Sequence, residues 1–289
     1  MTMHHVYRNE HAVDLEQIIN DAWAHPQQLH VGMEGPVREA VNEAMARLDD
    51  GTLRVAEKID GSWRVHEWLI NALMVASHIG DYSLVEGGPG AACWWDKEHS
   101  KFAGWGEAQF RAAAFRALPG CFVRYTAHVG RKVVLLPSFV SWGARVDEGT
   151  MIDSWATVGS CAQVGRNVHI SAGVVLGGVI EPRQVRPVVI EDDCFVGAQC
   201  SVVEGMIVGE GSVIGAGTIL SASTKIIDRA TGEVFRGAVP PYSVVVPGSL
   251  PGQPLPDGSP GPLLHCAVIV KRVDARTRAK ACVNDLFRA

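Results

Sequence analysis

Imidazoles and thiols have the widest chemical range of any side chains here, and their spacing favours structure over metal or nucleophilic chemistry. His128 and His169 could each offer a nitrogen to zinc, but a zinc site needs about three such ligands in register, and after His169 no histidine occurs until His265. Both are expected to be structural, and no metal is expected. His4, His5 and His11 fall on a stretch expected to be a mobile terminus. The seven cysteines, Cys93, Cys121, Cys161, Cys194, Cys200, Cys266 and Cys282, show no C-x-x-C pairing, and the odd count argues against a complete disulfide framework. Cys161, Cys194 and Cys200 are expected to be small apolar fillers rather than reactive thiols. What remains is acid, base and charge. An aspartate such as Asp153 most commonly serves a turn, and Lys225, Lys271, Arg272, Arg276 and Arg278 each read singly as a solvated surface charge.

A repeat must position any of these groups. Val134, Val140, Val146, Ile152, Val158, Val164, Ile170 and Leu176 stand six residues apart, and after one interruption Ile190, Val196, Val202, Val208, Ile214, Leu220 and Ile226 resume the step. A period of six suits neither a helix nor plain strand alternation. It suits a coil of three short strands with one aliphatic residue per side pointing to the axis, a parallel β-helix. Gly159, Gly165, Gly177, Gly197, Gly209 and Gly215 directly follow their aliphatic residues, while Ala156, Ala162, Ser212, Thr218 and Thr224 sit four after theirs, where a corner leaves little room. Such a solenoid has no deep pocket of its own, so sites form on faces, under inserted loops or between copies. The insertion GGVIEPRQVRPVV, residues 177–189, is expected to overhang a binding groove.

The chain has 289 residues and a formal net charge of -5, which gives no basic field for nucleic acid. No stretch reaches the ~18 apolar residues of a membrane span, and the opening MTMHHVYRNEHAVD lacks a signal peptide's apolar core. A cytoplasmic protein without membrane contact is expected. The fold class expected is mainly β, divided into an N-terminal helical domain (1–118), the β-helix (119–246) and a small C-terminal α/β cap (247–289). Val37, Ala40, Val41, Ala44, Met45 and Leu48 mark one helical face that stops at Asp49-Asp50-Gly51, and a second periodic run covers His66 to Ile79. Between them a hairpin turns at Asp60-Gly61. Glu86 to Gly106 reads as a loop, followed by a small helix over Glu107 to Leu118. Beyond Ile226 a hairpin is expected at Thr231-Gly232, then a strand from Cys266 to Val270 and a basic helix. The tail and the helical domain can cap the open ends of the coil, which would otherwise pair with other chains.

The run VDEGTMIDSWATVGSCAQVGRNVHIS, residues 146–171, resembles the tetrahydrodipicolinate N-succinyltransferase family of the bacterial lysine and diaminopimelate pathway. The similarity extends to REAVNEAMARLDDGTLRVAEKIDG, GGVIEP, IEDDCFVGA, DRATGEV and CAVIVKRVDARTR, nearly the whole chain. It implies a left-handed coil, a homotrimer with active sites between subunits, and acyl transfer from coenzyme A to an amine, with acyl-CoA a cosubstrate rather than a tightly bound cofactor. The acceptor is a cyclic imine with two carboxylates, which hydrates and ring-opens so that its amine attacks the thioester carbonyl. That chemistry requires cations for the carboxylates, an acceptor for the amine proton and donors for the oxyanion. By the resemblance, the arginine of FRALP, Arg116, forks onto a carboxylate, and the second aspartate of VDEGTMID, Asp153, holds the amine and can take its proton. Backbone amides near Gly177 and Gly178 are the expected oxyanion donors, although Gly-Gly can equally be only the exit from the coil. Lys225, Lys271, Arg272, Arg276 and Arg278 form the group from which coenzyme A phosphates would find partners.

The same resemblance exposes departures. The family usually has a glutamate where Ser201 stands, and glycines where Ala172 and Val175 stand; the added volume should shorten the space for the acyl chain. HISAGVVLGGVIEPRQVRPVVIEDD and VPPYSVVVPG are similar instead to tetrahydrodipicolinate N-acetyltransferase. Succinyl-CoA and acetyl-CoA therefore both stand as donors, the second with a paralogue in a tabtoxin-like branch. A noncatalytic β-helix scaffold is the alternative of another class.

Overall fold

The computed structural model describes residues 10–86 and 93–276. In it the six-residue period becomes a coil of two-residue strands. Met151–Ile152, Thr157–Val158 and Gln163–Val164 follow one another around three faces, and each pairs in parallel with the strands one turn before and after it. Ile152, Val158, Val164, Ile170 and Leu176 are fully buried on the axis, while Thr150, Ala156, Ala162, Ser212 and Thr218 are buried at the corners. Each such aliphatic side chain contributes about 1.5–3 kcal/mol by leaving water. The mainly β class, a left-handed parallel β-helix carrying an N-terminal helical part, is the one observed.

The outward residues form one row per face. Face one carries Arg116, Val134, Met151, His169, Phe195 and Val213. Face two carries Phe122, Phe139, Thr157, Val175, Ser201 and Ile219. Face three carries His128, Arg145, Gln163, Val189, Ile207 and Ala238.

The repeat has one slip that the six-residue spacing conceals. Leu135, not Val134, is the fully buried residue, because Leu135 pairs with Ile152 while Val134 pairs with the outward Met151. The inward column runs Val123, Val129, Leu135 and then steps only five residues to Val140, through a shorter corner containing Pro137. Two adjacent aliphatics let either register fit the pattern. The coil also starts earlier than residue 119, since the strand Arg116–Ala117 already pairs with Val134–Leu135.

The helices are α1 (Glu10–Ala24, which includes His11), α2 (Pro36–Asp50), α3 (Glu67–Ile79) and α4 (Glu107–Ala113). The hairpin β1 (Ala56–Ile59) and β2 (Ser62–Val65) turns at Asp60-Gly61. Glu86 to Gly106 is not all loop, because β3 (Ser83–Val85) pairs with β4 (Trp94–Asp96). α4 stops at Ala113 rather than Leu118, where Ala114 turns to φ 55° and the ladder captures Arg116 and Ala117.

α2 and α3 share a core with Trp142, Cys161 and Val179 from the coil. At Gly143, φ 62°, an added Cβ would lie 2.9 Å from a Leu73 methyl, so the close approach of α3 depends on that glycine. These helices lie along the coil's flank and do not cap its end. Phe102 and Phe115 pack against the first coil and, with Trp105 and Phe110, form the apolar lid there. At the other end Ser243–Pro251 adds to Val213–Ile214 and pairs antiparallel with Leu263–Arg272. The latter strand extends beyond the expected Cys266–Val270 because Ser243–Pro251 pairs with it along its whole length, while Ile226–Asp228 pairs only with its middle, Ala267–Ile269. Ile226–Asp228 in turn forms the expected hairpin with Val234–Phe235. Of the basic helix expected after Val270, residues 271 and 272 belong to the strand, and the part from 277 on, with Arg278 and Cys282, lies outside the described residues, as do the terminal His4 and His5. Among the described residues no helix is long and apolar enough to cross a membrane.

Candidate active site

Asp153 closes the corner between faces one and two. Its N–H donates to the Ile170 carbonyl at 2.9 Å, its carbonyl accepts from Ala156 N–H at 3.2 Å, and its Oδ1 accepts from Ser154 N–H at 2.6 Å. The turn role is therefore real, but it occupies only one carboxylate oxygen. Oδ2 has no partner among the described residues, so the half-buried side chain is oriented by its backbone bonds and retains a free acceptor.

Arg116 stands on face one, in the first strand. Its N–H donates to Val133 O at 2.9 Å, and its exposed guanidinium has no hydrogen bond or ion pair among the described residues. Asp153 lies at the corner just beyond the strand Met151–Ile152, which is two ladder steps from Arg116, about 10 Å along the coil at ~4.8 Å per step. Face one and its edge therefore hold a free cation and a free carboxylate oxygen.

The Gly-Gly pair divides. Gly177 N–H is committed to the ladder, donating to Val202 O at 2.8 Å, which removes it as an oxyanion donor. Gly178 N–H has no partner among the described residues. Both flanking contacts require glycine: a Cβ on Gly178 would lie 2.4 Å from Ser160 Oγ, and one on Gly159 would lie 2.5 Å from Gly178 N. Asp153 precedes face two and Gly178 follows it, so a single chain places them on opposite edges of that face.

The C-terminal cations do not form one cluster. Arg272 Nε donates to the buried Asp228 Oδ2 at 3.1 Å, and its guanidinium lies 5.4 Å from the Phe235 ring centre, so it is held in place by structure. Lys225 and Lys271 are exposed, Lys225 beside the mid-strand residue Ala267 and Lys271 four residues further on, opposite Val244 near the strand's end. Arg276 is exposed as well.

Among the histidines, His128 packs against Gly51. Burial, reinforced by the Arg145 guanidinium, pushes its imidazole down to about 4, so it is neutral at neutral pH. His169 stacks on Phe195 at 5.2 Å. No group of three or more metal-ligating side chains converges among the described residues. Burial pushes the Cys161 and Cys200 thiols up, away from the reactive thiolate.

The first residues of the inserted loop lie against the helices of their own chain. Val179 and Ile180 pack into the helical core, and Arg183 donates to Asn71 Oδ1 at 2.7 Å and stacks over Trp23. Val179 and Ile180 thus cover the helical surface, while Val185 stays exposed.

The family model for the N-terminal part of tetrahydrodipicolinate N-succinyltransferase matches residues 14–79. Models of the bacterial transferase hexapeptide and of the hexapeptide repeat of succinyl-transferase match residues 143–178 and 187–222. The chain is 60% identical over 276 residues to the 2,3,4,5-tetrahydropyridine-2,6-dicarboxylate N-succinyltransferase of Parvibaculum lavamentivorans, covering 95% of this chain and 98% of that one. It is 58% identical over 275 residues to the enzyme of the same name from Methylorubrum populi, with the same coverage. The chain belongs to the tetrahydrodipicolinate N-succinyltransferase family.

Within this tetrahydrodipicolinate N-succinyltransferase frame, two features escaped the sequence reading. Glu191, on face three, is buried and accepts from Lys58 Nζ and Trp63 Nε1 at 2.7 Å each and from Glu210 N–H at 3.0 Å. Burial alone would raise its carboxyl, but these bonds hold it below the ordinary carboxylate range and fasten the β1–β2 hairpin to the coil. No local pattern signals a partner 133 residues away. Trp155 is the other, an indole 78% exposed two residues from Asp153. A cavity of about 910 Å³ between β3–β4 and the first coils, walled by Leu84, Trp94, Phe102, Phe110, Cys121 and Phe122 together with Glu86 and His99, holds none of the candidate residues, and no lysine or arginine among the described residues lines it to pair with a dicarboxylate.

Proposed function

We propose that the protein transfers a succinyl group from succinyl-CoA to the amine of ring-opened tetrahydrodipicolinate, as a cytoplasmic homotrimer. Near full-length identity to succinyltransferases carries this reading. Arg116 binds a carboxylate of the acceptor, and Asp153 Oδ2 receives the amine hydrogen bond and then the proton as nitrogen attacks the thioester carbon. Gly178 N–H faces the oxyanion, and the tetrahedral intermediate collapses with release of the coenzyme A thiolate. Lys225 and Lys271 remain the cations for coenzyme A phosphates.

Placement of the sites between subunits is supported by the separation of Asp153 and Gly178 across face two, which a second copy could bridge. The outward row of that face includes exposed Phe139, Val175 and Ile219, an apolar stripe that a neighbouring copy would cover. Val175 pairs with Ser201 across this ladder and is 43% exposed. A donor running along face two would present its acyl end to these two side chains. Val175→Gly should raise the ratio of kcat/KM for succinyl-CoA over acetyl-CoA by about tenfold. An unchanged ratio in parallel steady-state assays would show that the acyl group is read elsewhere.

A further inference from the structure

Among the described residues eleven other than glycine have positive φ, mostly at coil corners, and such a backbone is disfavoured for any side chain with a Cβ. At several of these corners a contact accounts for the choice. Thr126 Oγ1 accepts from Gly143 N–H, Lys132 pairs with Glu148, Cys161 is fully buried, and Tyr242 donates to Glu210. Trp155, φ 61°, differs. Its ring has no hydrogen bond, ring partner or cation among the described residues, and it is the most exposed large apolar side chain there, at 78%. Neither local conformation nor burial within the chain favours a tryptophan at this corner.

Its surroundings point to a ligand. Trp155 N–H donates to Pro137 O, and the next residue along the same corner column is Gly173, whose N–H donates to Ser154 O. Gly173 has no side chain to cover the indole. One coil further, Gln199 reaches back over Gly173, its amide nitrogen 2.3 Å from where a Cβ would be. The result is a notch with an aromatic wall and a carboxamide at its rim, on the corner that Asp153 begins. We propose that Trp155 determines acceptor binding, its indole packing along the aliphatic chain of the ring-opened amino dicarboxylate whose amine Asp153 receives. The inference rests on the role given to Asp153 above. An apolar wall suits a flexible carbon chain charged at its ends, because it gathers the methylenes while polar groups hold the ends.

The test compares Trp155→Gly, Trp155→Phe and Asp153→Asn in steady-state assays varying tetrahydrodipicolinate and succinyl-CoA separately, with oligomeric state by sizing chromatography and Tm for each. Glycine suits the corner's backbone, so Trp155→Gly should keep the wild-type assembly and Tm. It should raise the acceptor KM about tenfold or more, with the succinyl-CoA KM changed less than about twofold. Trp155→Phe, which keeps a flat apolar face, should recover most of the loss. The proposal is overturned if the acceptor KM is unmoved, if the succinyl-CoA KM shifts in its place, or if Trp155→Gly dissociates the assembly, which would make the ring an interface residue. Full activity in Asp153→Asn would fail the underlying role of the aspartate, whereas an inactive Asp153→Asn beside a wild-type-like Trp155→Gly would fail the tryptophan inference alone.

Discussion

Asp153→Asn should lower kcat by about 10²-fold or more while leaving the fold intact. The two side chains have the same shape, and the carboxamide oxygen can still accept from Ser154 N–H as Oδ1 does at 2.6 Å, so the corner is preserved. What disappears is the acceptor at Oδ2. A carboxamide nitrogen there donates a hydrogen where the attacking amine must give one up, so the variant opposes both proton removal and amine orientation. Steady-state kinetics together with an unchanged Tm would separate this from a structural defect. Near wild-type turnover would remove Asp153 from the proton-accepting role.

Gly159→Ala should damage both stability and activity. The added methyl would lie 2.5 Å from Gly178 N, 2.5 Å from Leu176 O and 2.6 Å from Gly177 C, all backbone atoms of the adjacent coil. Unlike a flexible side chain, these cannot rotate away, and Gly159 N–H is itself bound to Leu176 O at 2.9 Å. The coils must separate locally, at a cost of about 1–3 kcal/mol, and the displacement falls on the segment that presents Gly178 N–H. A lower urea midpoint with kcat reduced at least about tenfold is expected. A wild-type midpoint would mean the coils can part there without loss, and a wild-type kcat would detach Gly178 from the oxyanion.

The inward column was legible in the sequence because a three-sided coil admits one aliphatic residue per side and little else. The same logic failed at Val134 and Leu135, where two adjacent aliphatics fit the period equally and only pairing with Met151 and Ile152 decides between them. Arg116 and Asp153 are singled out by family motifs alone, and the structure adds that each retains an uncommitted polar group. Charge alone was a poor guide at Arg272, whose partner Asp228 is 44 residues away in sequence and whose ring contact, Phe235, comes from a hairpin. Gly177 misled for a related reason. A glycine signals close approach, but whether its N–H is free depends on the ladder, and Val202 takes it. The prolines and arginines of residues 177–189 suggest a loop that stands out from the coil, whereas Val179 and Ile180 pack against the helices and hold its start there.

The central claim is best tested by measuring kcat/KM for acylation of tetrahydrodipicolinate by the purified protein with succinyl-CoA and acetyl-CoA side by side, following thiol release and the N-acyl product. Thioester-dependent product formation with succinyl-CoA preferred is the predicted result. Preference for acetyl-CoA would contradict the choice of donor and make Val175 and Ser201 its determinants. Absence of transfer from either donor would contradict the enzymatic account and leave the β-helix as a scaffold.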